Sequence, residues 1–414
     1  MAESYQFIFI FLLIFTAVVE FYLGTRQKQF VLKNKIKVPA AFAKVIKLAD
    51  HKKAADYTVS KINFNSIELF FSAGVLFLLT LGGGINYIDD LMGGFFQSSL
   101  LNGAVVITSV FVVLHLISIP SSIYQTFIIE TKFGFNKMTP RLFLMDQIKA
   151  IIMMIILSII ISIAALWILS ELGNKWWLWL WVFLSILALV GVALAPVLKQ
   201  LFNKYTPIKD KNLKKSIEKL LKRCGFESSG LFEMNGSLRS THGNAFFGGF
   251  GKTKRIIFFD TLLEKLNSKE IEAVIAHELG HFKRNHVKKL LLIQIVLIFL
   301  SLYFLGGLKD SSDFFNGLGI NNVNDANFLI LFSLVLLPFV MFFISPFISS
   351  LQRKYEFEAD EYACEFANSA DLKKSLIKLY RDNASTLTPD PLYSAFYHSH
   401  PPASIRIQAI DKNK

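Results

Sequence analysis

The sequence predicts an all-α polytopic membrane protein with seven transmembrane helices and a small cytoplasmic α+β domain. Three observations lead to this fold class. The chain of 414 residues is 53% hydrophobic and contains 41 Phe, and its mean hydropathy of +0.46 is high for a soluble globular protein. Seven apolar stretches are long enough to cross a bilayer. The segments between them alternate between rich and poor in Lys and Arg, as a membrane topology requires.

The apolar stretches are taken in chain order. No basic residue precedes the first, so it is expected to be a retained anchor and not a cleaved signal peptide. Tryptophans at the start of the fifth form an aromatic belt of the kind found at the membrane interface. The predicted spans are residues 7–23, 67–84, 105–123, 151–169, 176–198, 290–305 and 328–348.

The basic residues set the orientation. Residues 26–61 carry ten Lys or Arg and are expected to be cytoplasmic, whereas residues 85–99 carry none and are expected outside. Phe42, Val45 and Ile46 allow a short interfacial helix in the basic segment. The N-terminus is then outside and the C-terminus cytoplasmic. Because topology explains the net charge of +13, a nucleic-acid partner is not expected.

The soluble residues 199–269 should form the small α+β part. Apolar positions within residues 213–221 have helical spacing, and residues 231–234, 244–247 and 255–259 have the composition of short strands. We therefore expect two domains. Residues 1–198 form a membrane region of five spans with a basic cytoplasmic loop, and residues 199–414 contain the soluble part with the sixth and seventh spans.

Directly before the sixth span, the sequence contains His277-Glu278-Leu-Gly-His281. On a helix that begins near Asn267 or Ser268, the two histidines share a face about 6 Å apart along the axis, and one metal ion can bind both. This is the HExxH pattern of zinc hydrolases, with Glu278 as the general base. We expect the helix to continue without a break into the sixth span.

Catalytic zinc takes three protein ligands and leaves one position open. We expect the third ligand to be a carboxylate. Glu356 and Asp360 lie four residues apart directly after the seventh span. Glu356 is the expected ligand, and Asp360 is expected to orient a histidine ligand or the water. Glu358 should be solvated, and His286 should be a surface or interface residue. With only two cysteines, a zinc site built from cysteines is excluded.

At this point the chain resembles a known family, the Ste24-type CAAX prenyl endopeptidases (type I), which are integral-membrane zinc metalloproteases of family M48. The resemblance is carried by HExxH with Glu356-x-x-x-Asp360, by Asn244-Ala245-Phe246, and by Ser399-His400-Pro401-Pro402 followed by Arg406. Phe133-Gly134-Phe135-Asn136 and Leu201-Phe202-Asn203-Lys204 extend it over nearly the whole chain.

The resemblance implies seven helices around a large chamber and one zinc ion per chain. It implies that His400 and Arg406 reach the active site, where histidine or arginine donors would stabilise an oxyanion. It also implies that Asn244, Ala245 and Phe246 form an edge strand that pairs with extended substrate.

The expected function is hydrolysis of peptide bonds near the C-terminus of CAAX-type, possibly lipidated, substrates by a monomer in the bilayer. Two alternatives remain open: a membrane quality-control zinc protease without prenyl specificity, and a transporter or channel with a structural metal. The lack of long insertions in the outer loops favours a prokaryotic inner membrane; the endoplasmic reticulum is the alternative.

Overall fold

The computed structural model describes residues 1–248 and 254–412. Within these residues the protein is mostly helical, as predicted. The helices are α1 (Ala2–Asn34), α2 (Leu48–Leu79), α3 (Gly84–Met92), α4 (Ser99–Ile123), α5 (Pro140–Glu171), α6 (Trp176–Gln200), α7 (Lys211–Arg223), α8 (Asp260–Lys265), α9 (Ser268–Lys283), α10 (His286–Leu305), α11 (Ser312–Gly317), α12 (Asp325–Leu331), α13 (Leu337–Phe366), α14 (Ser369–Asp382), α15 (Pro391–Tyr397) and α16 (Ala403–Lys412).

Seven helical segments in the described part of the chain are long and apolar enough to cross a membrane, which confirms the predicted fold class. They are α1, α2, α4, α5, α6, α10 and the combined α12–α13. A π-helical segment, Tyr124–Glu130, extends α4, and another, Phe332–Leu336, joins α12 to α13. The protein is a multi-pass integral membrane protein.

The second span differs most from its prediction. The helix begins at Leu48 and ends at Leu79, so the predicted residues 67–84 are offset toward the C-terminus. Three consecutive glycines, Gly82 to Gly84, stop it, and Gly83 has a left-handed φ of 78° that glycine adopts without strain. The apolar composition of residues 67–84 locates a span, but it does not show that the glycine turn at its end interrupts the helix.

The basic segment packs against the C-terminal part of the chain and contains one short helical turn. Because α1 continues to Asn34 and α2 begins at Leu48, the connection is short and contains a single 3₁₀ turn at Ala40–Phe42. Phe42 and Ile46 are buried against Ala403 and Ile407 near the C-terminus, while Val45 is exposed. Burial of a side chain such as Phe42 stabilises the fold by about 1.5–3 kcal/mol.

The soluble part contains one four-stranded sheet, ordered β1-β2-β4-β3. The strands are β1 (Tyr205–Pro207), β2 (Gly230–Met234), β3 (Ala245–Gly248) and β4 (Arg255–Phe259). The last three agree with the predicted strands to within one residue, and β1 was not predicted. β3 lies at the end of the sheet and pairs antiparallel with β4. Among the described residues no strand pairs with its other side.

The helix carrying the HExxH residues begins as predicted and ends earlier than predicted. Asn267 is its N-cap and forms a capping box with Glu270. The helix ends at Lys283, and Asn285 adopts a left-handed conformation with φ of 56° before α10 begins at His286. The expectation of one continuous helix into the sixth span is therefore wrong. Asn tolerates this conformation better than most residues, so the chain can turn here.

Candidate active site

The site forms where α9 crosses α13. At the crossing Gly280 lies against Ala359, so closely that a β-carbon on Gly280 would meet the Ala359 Cα at 2.8 Å. His277 and His281 occupy successive turns of α9, and Glu356 and Asp360 occupy successive turns of α13. The close contact between the helices brings these two pairs of side chains together.

Three of these side chains converge in the way that a metal site requires. The Nε2 atoms of His277 and His281 lie 3.2 Å apart. Glu356 Oε1 lies 3.2 Å from His281 Nε2, and Glu356 Oε2 lies 3.6 Å from His277 Nε2. Tetrahedral ligands at zinc–ligand distances of about 2.0–2.1 Å are separated by roughly 3.3 Å. These residues therefore fit a zinc ion without rearrangement.

The fourth side chain, Asp360, orients the first histidine. Its Oδ1 lies 2.9 Å from His277 Nδ1. A hydrogen bond there places the histidine proton on Nδ1 and leaves Nε2 as the electron-pair donor toward a metal. Asp360 is 1% exposed, so this bond is well shielded from water.

Arg406 reaches the same place from α16. Its Nε and Nη2 donate to Asp360 at 2.6 and 2.8 Å, and its Nη1 lies 2.9 Å from Glu356 Oε2. Burial alone would lower the pKa of Arg406, but the adjacent Asp360 and Glu356 carboxylates raise it above its ordinary value. The guanidinium thus holds both carboxylates ionised inside the protein.

Glu278 follows His277 on α9 and faces a cavity beside the cluster. It lines, with His277 and Arg406, this cavity of about 640 Å³. Burial raises the pKa of the Glu278 carboxyl, and the neighbouring His277 and His281 partly oppose this. A carboxylate whose pKa is raised by burial gains proton affinity, which suits a group that takes up and later releases a proton.

His400 lines the same cavity and contacts Glu356. Its Nε2 lies 3.3 Å from Glu356 Oε1, and its Nδ1 lies 2.9 Å from Ser399 Oγ. The side chain is 62% exposed, and since His400 lines the cavity, the ring can reach a bound peptide.

Two of the three residues predicted to bind the substrate line the cavity. Asn244, directly before β3, and Ala245 both line the cavity. Phe246 is not part of that lining; its ring packs near Phe259, with the ammonium of Lys199 3.8 Å from the ring centroid. This is the expected alternation along a strand, whose successive side chains point to opposite faces.

Sequence reasoning placed two residues wrongly. His286 is not at the surface but is 2% exposed, with Nδ1 3.0 Å from His281 Nδ1 and Nε2 3.0 Å from Glu358 Oε2. Glu358 is therefore not simply solvated. A regular helix would have directed His286 elsewhere, and the turn at Asn285 redirects it. The Arg284-Asn285 pair, typical of a helix C-terminus, was the available signal.

Known proteins share this sequence and fold. Residues 27–204 match the family described as CAAX prenyl protease N-terminal, five membrane helices, and residues 207–414 match Peptidase family M48. A CAAX prenyl protease 1 homolog of Arabidopsis thaliana is 34% identical over 90% of both chains. The Mus musculus homolog is 30% identical over 95% of this chain and 93% of its own.

The fold agrees with that of a solved relative. The crystal structure of S. mikatae Ste24p superimposes with a TM-score of 0.91 at 29% sequence identity, covering 98% of this chain and 99% of that one. The chain therefore belongs to peptidase family M48, as an integral-membrane metalloprotease of the Ste24 type.

Proposed function

We propose that the protein is a zinc endopeptidase that cleaves near the C-terminus of prenylated CAAX-type peptides. The observation that carries the zinc assignment is the set of 3.2–3.6 Å separations among the His277, His281 and Glu356 donor atoms, open on the side of Glu278 and the cavity. The relatives named CAAX prenyl protease 1 support the substrate class. A structural zinc normally has four protein ligands, whereas three converge among the described residues. The ligand set therefore favours a catalytic zinc over a structural one.

The chain's own residues divide the chemistry. A zinc ion, when bound, supplies a Lewis acid that acidifies water and polarises the peptide carbonyl. Glu278 takes the proton from the attacking water and returns it to the leaving amine. His400 donates a hydrogen bond to the developing oxyanion.

Asp360 and Arg406 act as positioning residues. Asp360 fixes the ring of His277 through Nδ1. The contacts of the Arg406 guanidinium run to Asp360, Glu356 and His277, which supports a role in holding the ligands in position. Asn244 and Ala245 offer the strand edge along which the substrate backbone pairs.

The membrane arrangement completes the proposal. We place the N-terminus outside and the C-terminus and active site on the cytoplasmic side, because the basic segments belong there. The protein works as a monomer on a substrate that enters a chamber at the cytoplasmic side of the membrane, in a prokaryotic inner membrane or in the endoplasmic reticulum.

The test compares a farnesylated CAAX peptide with its unlipidated twin, using purified protein with and without a chelator. Chelator-sensitive cleavage with higher kcat/KM for the farnesylated peptide is expected. Equal cleavage of both would leave a protease without prenyl specificity, as in a quality-control role, and cleavage that survives complete metal removal would refute the metal mechanism.

Two variants test the residue roles. Glu278→Gln should keep stoichiometric zinc and lose cleavage, whereas Glu272→Gln, on the same helix but outside the cavity lining, should keep both. Glu356→Ala should lose zinc, as measured by elemental analysis. Full activity of Glu278→Gln or full zinc in Glu356→Ala would contradict the corresponding role.

A further inference from the structure

One face of α2 belongs to the cavity wall. Thr58, Lys61, Ile62 and Asn65 line the same cavity as Glu278. Their spacing of three, one and three residues puts them on one side of the helix. A lysine from the membrane region therefore faces the space in which the substrate is cut.

Glu130 attracts the charge of this lysine, but the two side chains form no ion pair in the described part of the chain. Among the described residues no carboxylate pairs with Lys61, and its Nζ lies 4.0 Å from the centroid of the Tyr57 ring. Glu130 is near, but its carboxylate accepts a hydrogen bond from the Tyr57 hydroxyl and lies 3.5 Å from His242 Nε2. Arg406, by contrast, lines the cavity with its charge already paired to Asp360.

The position of Lys61 relative to the substrate strand is fixed by packing. Tyr57, one turn before Lys61, packs 5.0 Å from the ring of Phe135, which stacks on His242 at 4.5 Å. Asn383 Oδ1 then lies 3.3 Å from His242 Nδ1 and accepts from the Gly243 amide. Gly243 directly precedes the segment that enters β3. A chain of side-chain contacts therefore links the helix turn that carries Lys61 to the segment that enters β3.

We propose that the Lys61 ammonium binds the C-terminal carboxylate of the substrate and so selects peptides by their free C-terminus. This inference rests on the proposed function. In a CAAX motif three residues follow the prenylated cysteine, and three extended residues span about 10 Å. A cation in the cavity wall and a hydrolytic centre in the same cavity would together hold such a short tail. The only carboxylate side chain among the described residues lining this cavity is that of Glu278, so no lining carboxylate competes with a substrate carboxylate for the face of the cavity that carries Lys61.

The experiment uses two farnesylated peptides of identical sequence, one ending in a free acid and one in an amide. Wild-type protein should cleave the acid with kcat/KM roughly 10- to 100-fold higher, the range expected for a charge-assisted hydrogen bond. Lys61→Met should lose this preference, mainly through a higher KM for the acid. Lys61→Arg should retain part of it. Lys52→Met, at an exposed position of the same helix, is the matched control and should behave as wild type.

The outcomes separate the two proposals. If wild-type protein cleaves neither farnesylated peptide, the proposed function fails and this inference fails with it. If both peptides are cleaved but wild type does not prefer the acid, or if Lys61→Met keeps the preference, only the assignment of Lys61 is overturned. The wild-type comparison tests selection of the free carboxylate without any variant. If Lys61→Met does not fold, Lys61→Gln, which keeps a polar side chain but no charge, tests the lysine in its place, and a retained preference would overturn the assignment.

Discussion

Replacing Arg406 with methionine removes the cation that lies between two buried carboxylates. The side chains of Arg406, Asp360 and Glu356 are only 5%, 2% and 7% exposed. Without Arg406, the buried carboxylates of Asp360 and Glu356 would keep only their contacts with the histidines. Breaking a buried pair by removing one partner costs about 3–5 kcal/mol, mostly because the remaining charge stays desolvated.

The chain offers a matched surface pair as a control. Arg284 and Glu361 lie 3.6 Å apart with side chains 44% and 55% exposed. Exposed pairs contribute only about 0–1 kcal/mol. Arg406→Met should therefore destabilise the protein several-fold more than Arg284→Met, although both remove one arginine from one ion pair.

The assay is thermal unfolding in detergent after chelator treatment, so that metal binding adds nothing to the difference. At roughly 2–4 °C per kcal/mol, Arg406→Met should lower Tm by about 6–20 °C. Asp360→Asn combined with Arg406→Met should recover part of this loss, because the double variant no longer buries the Asp360 charge. Equal Tm values for Arg406→Met and Arg284→Met, or strictly additive effects in the double variant, would refute the reasoning.

Three further predictions address the metal centre and the helix crossing. His286→Asn should weaken metal binding about 10- to 100-fold, because it removes the partner that orients His281; competition with a chelator measures this, and unchanged affinity would contradict it. Gly280→Ala should cost about 1–3 kcal/mol and reduce metal content, since the new methyl group would meet Ala359 backbone. Gly74→Ala, in open space on α2, is its control and should be close to neutral; equal effects would exclude the close contact as the cause. Metal-depleted protein should regain peptidase activity on addition of zinc, and failure to regain it while remaining folded would argue against zinc as the cofactor.

Much of the fold and part of the site could be predicted because each rests on a local pattern. The length of an apolar stretch locates a span without reference to the rest of the chain. For this reason the seven predicted spans correspond to seven helices of sufficient length in the described part of the chain. The spacing of four between His277 and His281, and again between Glu356 and Asp360, needs only a regular helix to place each pair on one face. Short apolar runs predict the strands β2, β3 and β4 in the same local way.

The remainder depends on contacts between distant segments. His286 reaches His281 only because the chain turns at Asn285, and regular helical spacing does not contain such a turn. The sequence suggests that Phe42 lies at the membrane surface, whereas in the structure it is buried against Ala403. The same limit applies to Lys61, which the sequence shows only as one basic residue of a cytoplasmic segment. Its proposed role depends on the cavity that it lines.

These distant contacts also argue that the membrane region and the catalytic region act as one unit. Arg26 on α1 pairs with Asp390 at 3.1 Å, and the Gln27 side chain accepts a hydrogen bond from the Asp390 amide at 2.6 Å. Asp390 is the N-cap of α15, the helix that leads directly to His400. A residue proposed to stabilise the oxyanion is thus held in place from the first helix of the chain. Since Lys61 on the second helix lines the same cavity, the soluble residues alone would lack both one wall of the substrate site and the support for another.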